Sequence, residues 1–409
     1  MSYVLLENAR LFDGLSPTTR DGMSVLIDGN RIVEVSESKM ESVTAERIDC
    51  AGKTLMPGMI DAHVHIYAES LKFGSPEPPI TYRAQYAQKF MRHILGCGFT
   101  SIRDVAGGDH GMAMALRDGF FVGPRYYYGG LCLSQTGGHG DLRQSYASAS
   151  FCDCGATHNF LAVIADGVDE CIKAVREELR KGANHIKIMA SGGVLSPSDP
   201  LERCQYSDAE IRAIVEECDR HGAYVAAHCH TDKSIRRCVE LGVRTIEHGT
   251  LIEEGTANFV AERGAYIVPT MATVFALKDE GKSFGIDAVS YEKLCRVADA
   301  AMAGLAVMKK AGVKMGFGSD LIGPMHVRQG SEFTLRKNML SAWDILHSAT
   351  VVNAEIVGMA GQLGVVKTGA LADLLLVDGN PLDDIELLAA NGAHLSMIMV
   401  DGKFIKRSL

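Results

Sequence analysis

Histidines in this 409-residue chain recur at the ends of short apolar runs. His63 and His65 end one run, and residues two apart in a strand point to the same side, so both imidazoles can reach one ion. His228 and His230 repeat this spacing, and His248 ends a third run. Imidazole nitrogens bind zinc and related cations, so the spacing predicts a metal site. The alternative is a group of histidines that only stack on one another in a polar pocket.

Two further residues at the ends of apolar runs could complete such a site. Lys187 lies among aliphatic residues, where an ammonium must be neutralised by a salt bridge or lose its proton. A neutral amine can react with CO₂ to give a carbamate, whose two anionic oxygens could bridge two cations. Asp320 follows Gly316–Ser319 and could ligate a metal and exchange protons with water, or simply cap a helix.

Short β-rich runs and longer helical stretches alternate in the middle of the chain, which predicts parallel strands joined by helices. Helices are expected at 169–182 and between Ser207 and Gly222, where Ser207 and Glu210 form a capping pattern. Eight strands with helical crossovers match an α/β fold of the (β/α)₈ TIM-barrel type, which carries its chemistry at the C-terminal strand ends. A doubly wound open sheet is the alternative, but no GxxxxGK[ST] motif supports it. The eight runs begin at Met59, Thr100, Arg125, His185, Tyr224, Thr245, Tyr266 and Lys314.

Towards both ends of the chain, the sequence pattern changes and predicts short strands joined by tight turns such as Asp28–Asn30. We therefore expect a small β-sandwich-like accessory domain built from both termini. The predicted division is residues 1–57 and 358–409 for this domain and 58–357 for the barrel.

Composition excludes several classes of protein. With 47% apolar and 22% charged residues, the chain is typical of a compact globule. A net charge of −9 without a basic block argues against a nucleic-acid partner, and no apolar run reaches the roughly 18 residues of a membrane span. Eleven cysteines without CxxC pairs indicate neither a zinc knuckle nor a disulfide framework. We expect a cytoplasmic protein with reduced thiols and no signal peptide.

The sequence resembles the amidohydrolase superfamily, in its binuclear-metal subtype with a carboxylated lysine. The resemblance implies that His63, His65 and Asp320 hold the more buried ion and that His228 and His248 hold the exposed one. N6-carboxylysine at Lys187, formed from CO₂, and a hydroxide would bridge two divalent ions, by default zinc. The hydroxide would attack an amide, and Asp320 would pass its proton to the leaving amine. The motifs that carry the resemblance are Pro57–His65, Ile186–Ile188, His228, His248, Gly318–Asp320 and Gly364–Leu382.

The loops are most similar to those of metal-dependent dipeptidases and carboxypeptidases, including prolidases that cleave Xaa-Pro dipeptides. The segments that carry this similarity are Gln135–Gly140, Ser191–Pro200 and His228–His230. A dipeptide carboxylate requires cationic or hydrogen-donating groups near the metals. The candidates for this role are His139, also a candidate catalytic residue, together with Arg203, Tyr206 and His230.

Two of these candidates have ordinary structural explanations. Arg203 could be a solvated loop charge, and Tyr206 could pack beside the helix cap at Ser207. Proline as the second residue would also need apolar walls, for which Val194–Leu195 and Val274–Phe275 are candidates.

The preferred hypothesis is a metal-dependent hydrolase of L-Xaa-L-Pro dipeptides, with a small peptide as its substrate. Alternatives are a dipeptidase for other hydrophobic or basic C-terminal residues, a hydrolase of N-acyl amino acids, and a cyclic-amide or imidazolone hydrolase. A barrel that binds a metabolite without catalysis is the non-enzymatic alternative. Similar proteins also suggest a homo-oligomer.

Overall fold

The computed structural model describes residues 3–37, 40, 44–71, 78–143, 160–196 and 199–408. Strands predominate towards both ends and alternate with helices in between. The strands are β1 (Tyr3–Leu11), β2 (Arg20–Asp28), β3 (Arg31–Ser36), β4 (Ala45–Asp49), β5 (Thr54–Pro57), β6 (Met59–Val64), β7 (Phe99–Asp104), β8 (Arg125–Tyr128), β9 (Cys132–Ser134), β10 (Ala162–Ile164), β11 (Ile186–Met189), β12 (Val225–Thr231), β13 (Thr245–Leu251), β14 (Tyr266–Val268), β15 (Lys314–Met315), β16 (Leu374–Val377), β17 (Leu395–Val400) and β18 (Lys403–Arg407). The α-helices are α1 (Ile80–Gly96), α2 (His110–Arg117), α3 (Val168–Arg180), α4 (Asp208–Arg220), α5 (Asp232–Glu240), α6 (Glu254–Arg263), α7 (Met271–Glu280), α8 (Ala288–Ala311), α9 (Ser331–Arg336), α10 (Ala342–His347), α11 (Asn353–Ile356) and α12 (Glu386–Ala389).

Two parallel sheets form the middle of this mixed α/β fold. One has the order β6-β7-β8 and the other β10-β9-β11-β12-β13-β14-β15. All eight predicted runs lie on these strands, whereas β9 and β10 were not predicted because three residues carry too little periodicity. Every residue of β6, β7 and β11 is buried, as expected for parallel strands covered on both faces.

Backbone hydrogen bonds connect these two sheets. The amide of Ala62 in β6 donates to the carbonyl of Phe317, just after β15, at 2.8 Å. A second bond joins the edge strand β8 to the interior of the larger sheet, where the amide of Asn184, just before β11, donates to the carbonyl of Tyr128 at 2.8 Å. The strand ends that carry the predicted site residues are thereby brought together.

Strands from both ends of the chain share a third sheet. Its order is β18-β17-β16-β5-β1-β2-β3, with β4 paired to β1, so strands from both chain ends are hydrogen-bonded within one sheet. The turn between β2 and β3 contains Gly29 at φ +56, a left-handed conformation that glycine adopts without strain. Side chains from both chain ends, including Leu6, Val25, Leu376 and Met399, form its apolar core.

The two helices expected from capping and apolar spacing are present as α3 and α4. Ser207 caps α4 by accepting from the amide of Glu210, whose side chain in turn accepts from the amide of Ser207. This reciprocal pair satisfies two of the amides that a helix start leaves unpaired. The helix ends before Gly222, which has φ +69.

Within the described ranges, every α-helix is too short or too polar to cross a membrane. The nine cysteines in these ranges are free thiols, and Cys152 and Cys154 lie outside the described residues.

Candidate active site

A cavity at the C-terminal strand ends collects most of the predicted site residues. The eight polar residues predicted for the metals and substrate that line it are His63, His65, His139, Lys187, His228, His230, His248 and Asp320.

His63, His65 and Asp320 form the tightest group of metal-binding side chains in the described part of the chain. One ligand atom from each lies within 4.8 Å of the others. The Oδ1 atom of Asp320 is 3.3 Å from Nε2 of His65 and 3.5 Å from Nε2 of His63. Asp320 has φ +51 and its amide donates to the carbonyl of His63 at 2.9 Å, so its strained backbone is held against β6. Two imidazoles and a carboxylate converging in this way fit a divalent cation.

Hydrogen bonds behind this group orient both imidazoles. Nδ1 of His63 lies 2.7 Å from Oε2 of Glu247, and Nδ1 of His65 lies 3.0 Å from the carbonyl oxygen of Ala106. Each acceptor requires a proton on Nδ1, which leaves the Nε2 lone pair facing Asp320. This arrangement is the usual outer support of metal-ligating histidines.

A second group of histidines continues the site from β12 and β13. The ring of His248 lies 4.7 Å from that of His228 and 5.1 Å from that of His63. Burial and neighbouring histidines hold the pKa values of His228 and His248 well below 6.5, so both rings are neutral and able to bind a cation. Nδ1 of His248 is 2.7 Å from Oγ1 of Thr270, which fixes the ring.

Lys187 lines the same cavity and is 2% exposed. Among the described residues it makes neither a hydrogen bond nor an ion pair. Burial lowers its pKa, an effect that the charges of Glu247 and Asp320 only partly oppose. The salt bridge considered from the sequence is therefore not formed, and the amine is closer to its neutral form than an exposed lysine is.

A buried ion pair lies behind His63. Arg103 and Glu247 are both 0% exposed, and one guanidinium nitrogen of Arg103 donates to the two carboxylate oxygens at 2.8 and 2.9 Å. Burial would raise the pKa of Glu247, but Arg103 and His63 hold it well below its usual range. Neither residue is among the candidates predicted from the sequence. A charged side chain inside an apolar strand is the signal that could have identified them.

His139 lines the cavity from the loop that follows β9. Its ring stacks on His228 at 4.5 Å, and its Nδ1 lies 3.3 Å from Oδ2 of the buried Asp199. The side chain of Gln205 contacts both partners, accepting from the amide of His139 at 3.0 Å and donating to Asp199 at 3.2 Å. A β-carbon on Gly193 would lie 2.2 Å from the imidazole, so only glycine allows this approach. Asp199 was not predicted as a site residue.

His230 faces the same cavity, whereas Arg203 and Tyr206 do not line it. Nδ1 of His230 is 2.8 Å from Oγ1 of Thr250, and its ring stacks on His248 at 5.0 Å. Arg203 is exposed, as its alternative interpretation had it. Tyr206 has φ +57 and is 6% exposed, packed in the main apolar core. The structure therefore brings two of the four proposed substrate-binding residues to the site.

The rest of the described cavity wall is apolar except for Thr273. Of the predicted wall residues, Val194, Leu195 and Val274 line it, and Phe275 does not. The other apolar side chains that line the cavity were not predicted as wall residues, namely Ala68, Leu142, Leu161, Met189, Leu277, Leu294 and Ile322.

Parallel strands whose C-terminal ends converge on a histidine-rich cavity define a class of metal-dependent α/β hydrolases. The chain belongs to the amidohydrolase family, whose model matches residues 54–405. It is 31% identical over 366 residues to ochratoxinase from Aspergillus niger, covering 86% of this chain and 75% of that protein.

Among solved structures, it is similar to a prolidase complexed with N-methylphosphonate-L-proline, with 44% identity, a TM-score of 0.95 and coverage of 99% of this chain and 100% of that one. It is also similar to a Xaa-Pro dipeptidase with bound methionine, with 28% identity, a TM-score of 0.88 and coverage of 99% and 100%. The family predicted from the sequence is thus confirmed, and an enzyme acting on amide bonds is supported.

Proposed function

We propose that this protein is a metal-dependent dipeptidase that cleaves the amide bond of L-Xaa-L-Pro. The observation that carries the proposal is the His63, His65 and Asp320 cluster at the bottom of an apolar-walled cavity. The 44% identity to a prolidase whose structure contains a proline phosphonate supports proline as the second residue.

The proposal includes a (β/α)₈ barrel as the architecture that holds the site. The hydrogen bond from Ala62 to Phe317 and that from Asn184 to Tyr128 would close the two parallel sheets into a (β/α)₈ barrel. The barrel would comprise residues 58–357, with 1–57 and 358–409 forming the accessory domain.

Two divalent ions are proposed for the site, with zinc preferred by the imidazole and carboxylate donors. His63, His65 and Asp320 would hold one ion and His228 and His248 the other, with N6-carboxylysine at Lys187 between them. Such ions acidify water and polarise an amide carbonyl.

The chain's own residues would then move protons and bind the substrate. Burial would raise the pKa of Asp320, but His63 and His65 lower it, so its carboxylate is ionised at neutral pH and can accept a proton. Proline leaves as a secondary amine, so its nitrogen must be protonated, and Asp320 would donate this proton. His139 and His230 would donate hydrogen bonds to the substrate carboxylate or to the oxyanion.

A panel of L-Xaa-L-Pro, L-Xaa-L-Leu and L-Xaa-L-Arg dipeptides, assayed by mass spectrometry with zinc-loaded protein, tests this proposal. We expect the highest kcat/KM for the proline series. Lys187→Ala should abolish turnover, with partial rescue by a small carboxylic acid and zinc, whereas Lys310→Ala on exposed α8 surface should not change it. Full activity of Lys187→Ala would exclude the carboxylated lysine, and no cleavage of any dipeptide would refute the dipeptidase.

One observation favours N-acyl amino acids as a second candidate substrate class. Asp320 provides the one carboxylate among the described lining residues, so these residues offer no separate anion for a free α-ammonium group. The similarity to ochratoxinase is also compatible with a substrate other than a free dipeptide. Comparing acetyl-Xaa-Pro with Xaa-Pro decides between the two, since a dipeptidase should prefer the free amine.

A further inference from the structure

A lysine outside the metal cluster connects two walls of the cavity. Lys293 lies on α8, and its Nζ atom donates to three backbone carbonyls, those of Gly193 at 3.0 Å, Ser196 at 2.5 Å and Asp199 at 2.7 Å. An ammonium has three N–H donors, so these bonds use all of them. The side chain is 13% exposed and is therefore not a solvated surface charge.

The three carbonyls belong to residues 190–196 and 199–207, the described stretches between β11 and α4, and the first of these stretches contributes to one side of the cavity. These stretches carry Val194 and Leu195, which line the cavity, and Asp199, whose carboxylate lies beside His139. Leu294, the residue after Lys293, lines the cavity from α8. Lys293 thus ties the two apolar walls together and also holds the backbone of Asp199.

We propose that Lys293 is a specificity-determining positioning residue, an inference that rests on the proposed amide hydrolase function. By fixing the separation between the Val194–Leu195 wall and Leu294, it limits the size of the apolar group that the cavity accepts. A pyrrolidine ring is compact and rigid, whereas leucine and phenylalanine side chains need a wider space. An apolar pocket discriminates between such groups only if its walls cannot yield.

The test compares Lys293→Met with Lys310→Met, a substitution of an exposed lysine on the same helix whose Nζ lies 2.7 Å from Glu254. Methionine retains most of the stem and removes the three donors. We expect Lys293→Met to lower the ratio of kcat/KM for Leu-Pro over Leu-Leu and Leu-Phe by about tenfold or more, which corresponds to roughly one buried methylene group or more of discrimination. Zinc content should stay at the wild-type value, and Lys310→Met should keep the wild-type ratio.

A second variant and a second measurement separate this role from general damage. Lys293→Arg keeps the charge but cannot direct three N–H groups from one nitrogen, so an intermediate ratio is expected. Hydrogen–deuterium exchange of peptides covering 190–196 should become faster in Lys293→Met alone. An unchanged substrate ratio, or a uniform loss across all substrates with unchanged exchange, would overturn the proposal. A wild-type protein that cleaves no substrate contradicts the proposed function instead, and unchanged exchange would then still exclude the role of Lys293.

Discussion

The buried pair behind His63 provides a sharp test of how the site is held. Glu247→Gln keeps the shape of the side chain and removes the charge that faces Arg103. Both residues are 0% exposed and joined by bonds of 2.8 and 2.9 Å, so the guanidinium would be left without its counter-charge in the interior. Breaking a buried pair in this way costs about 3–5 kcal/mol. The glutamine oxygen can still accept one hydrogen bond, so we expect the lower end, about 3 kcal/mol of unfolding free energy.

The same substitution should weaken metal binding for a separate reason. Glu247 accepts from Nδ1 of His63 at 2.7 Å and so sets the tautomer that points Nε2 at Asp320. Loss of such outer support typically lowers metal affinity by about 10- to 100-fold. The amide can present its NH₂ group to the imidazole instead, which would select the wrong tautomer.

Urea unfolding of the metal-free protein and zinc competition with a chromogenic chelator measure these two effects. The matched control is Glu254→Gln, which breaks an exposed pair with Lys310 and should leave both quantities unchanged. In the double variant Glu247→Gln with Arg103→Met, stability should recover in large part because no charge remains unpaired, while zinc affinity should stay low. A double variant no more stable than Glu247→Gln, or a loss under about 1 kcal/mol in the single variant, would refute the reasoning.

Three further predictions use other parts of the structure. Gly193→Ala should displace His139 and lower kcat/KM with zinc content unchanged, because the new β-carbon would lie 2.2 Å from the ring, whereas Gly255→Ala has open space and should have no effect. Chelator treatment should abolish amide hydrolysis and added zinc should restore it; activity that survives metal removal would exclude the proposed chemistry. Arg176, and then Arg220, lower the pKa of Glu217 to about 2 from an ordinary 4.5. Ionised Glu217 therefore stabilises the fold above pH 4.5, and the difference in urea midpoint between wild type and Glu217→Gln should shrink as the pH falls from 4.5 towards 2.

Local patterns in the sequence were sufficient for the eight predicted strands, for the two capped or amphipathic helices and for the histidine candidates, but not for the short strands β9 and β10. The two-residue spacing of His63 and His65 and the capping pair Ser207–Glu210 depend only on neighbours along the chain. Family resemblance then supplied the roles of Lys187 and Asp320, which spacing alone left open.

The residues that sequence analysis did not identify are those whose roles depend on contacts between segments far apart in the chain. Arg103 on β7 and Glu247 on β13 belong to different sheets and meet in the interior, and Lys293 reaches carbonyls about 100 positions away in the chain. No local pattern encodes these partners. Tyr206 illustrates the opposite case, since the sequence offered it both as a substrate contact and as a residue that packs beside the helix cap, and the structure packs it in the apolar core.

The charges of the proposed metal ions must be balanced by the buried side chains around them, and this balance concerns Asp320, Lys187 and Glu247. Two divalent ions would bring four positive charges into a cavity whose described lining contains one carboxylate, that of Asp320. An ammonium at Lys187 would add a fifth in a place where it has no ion-pair partner among the described residues, and like charges at short range in the interior repel strongly. Conversion of that amine to a carbamate replaces a positive charge by a negative one. Glu247 cannot serve this purpose, because its charge is already matched by Arg103. Modification of Lys187 would therefore favour the proposed site for two ions, whereas a site for one ion would not need it.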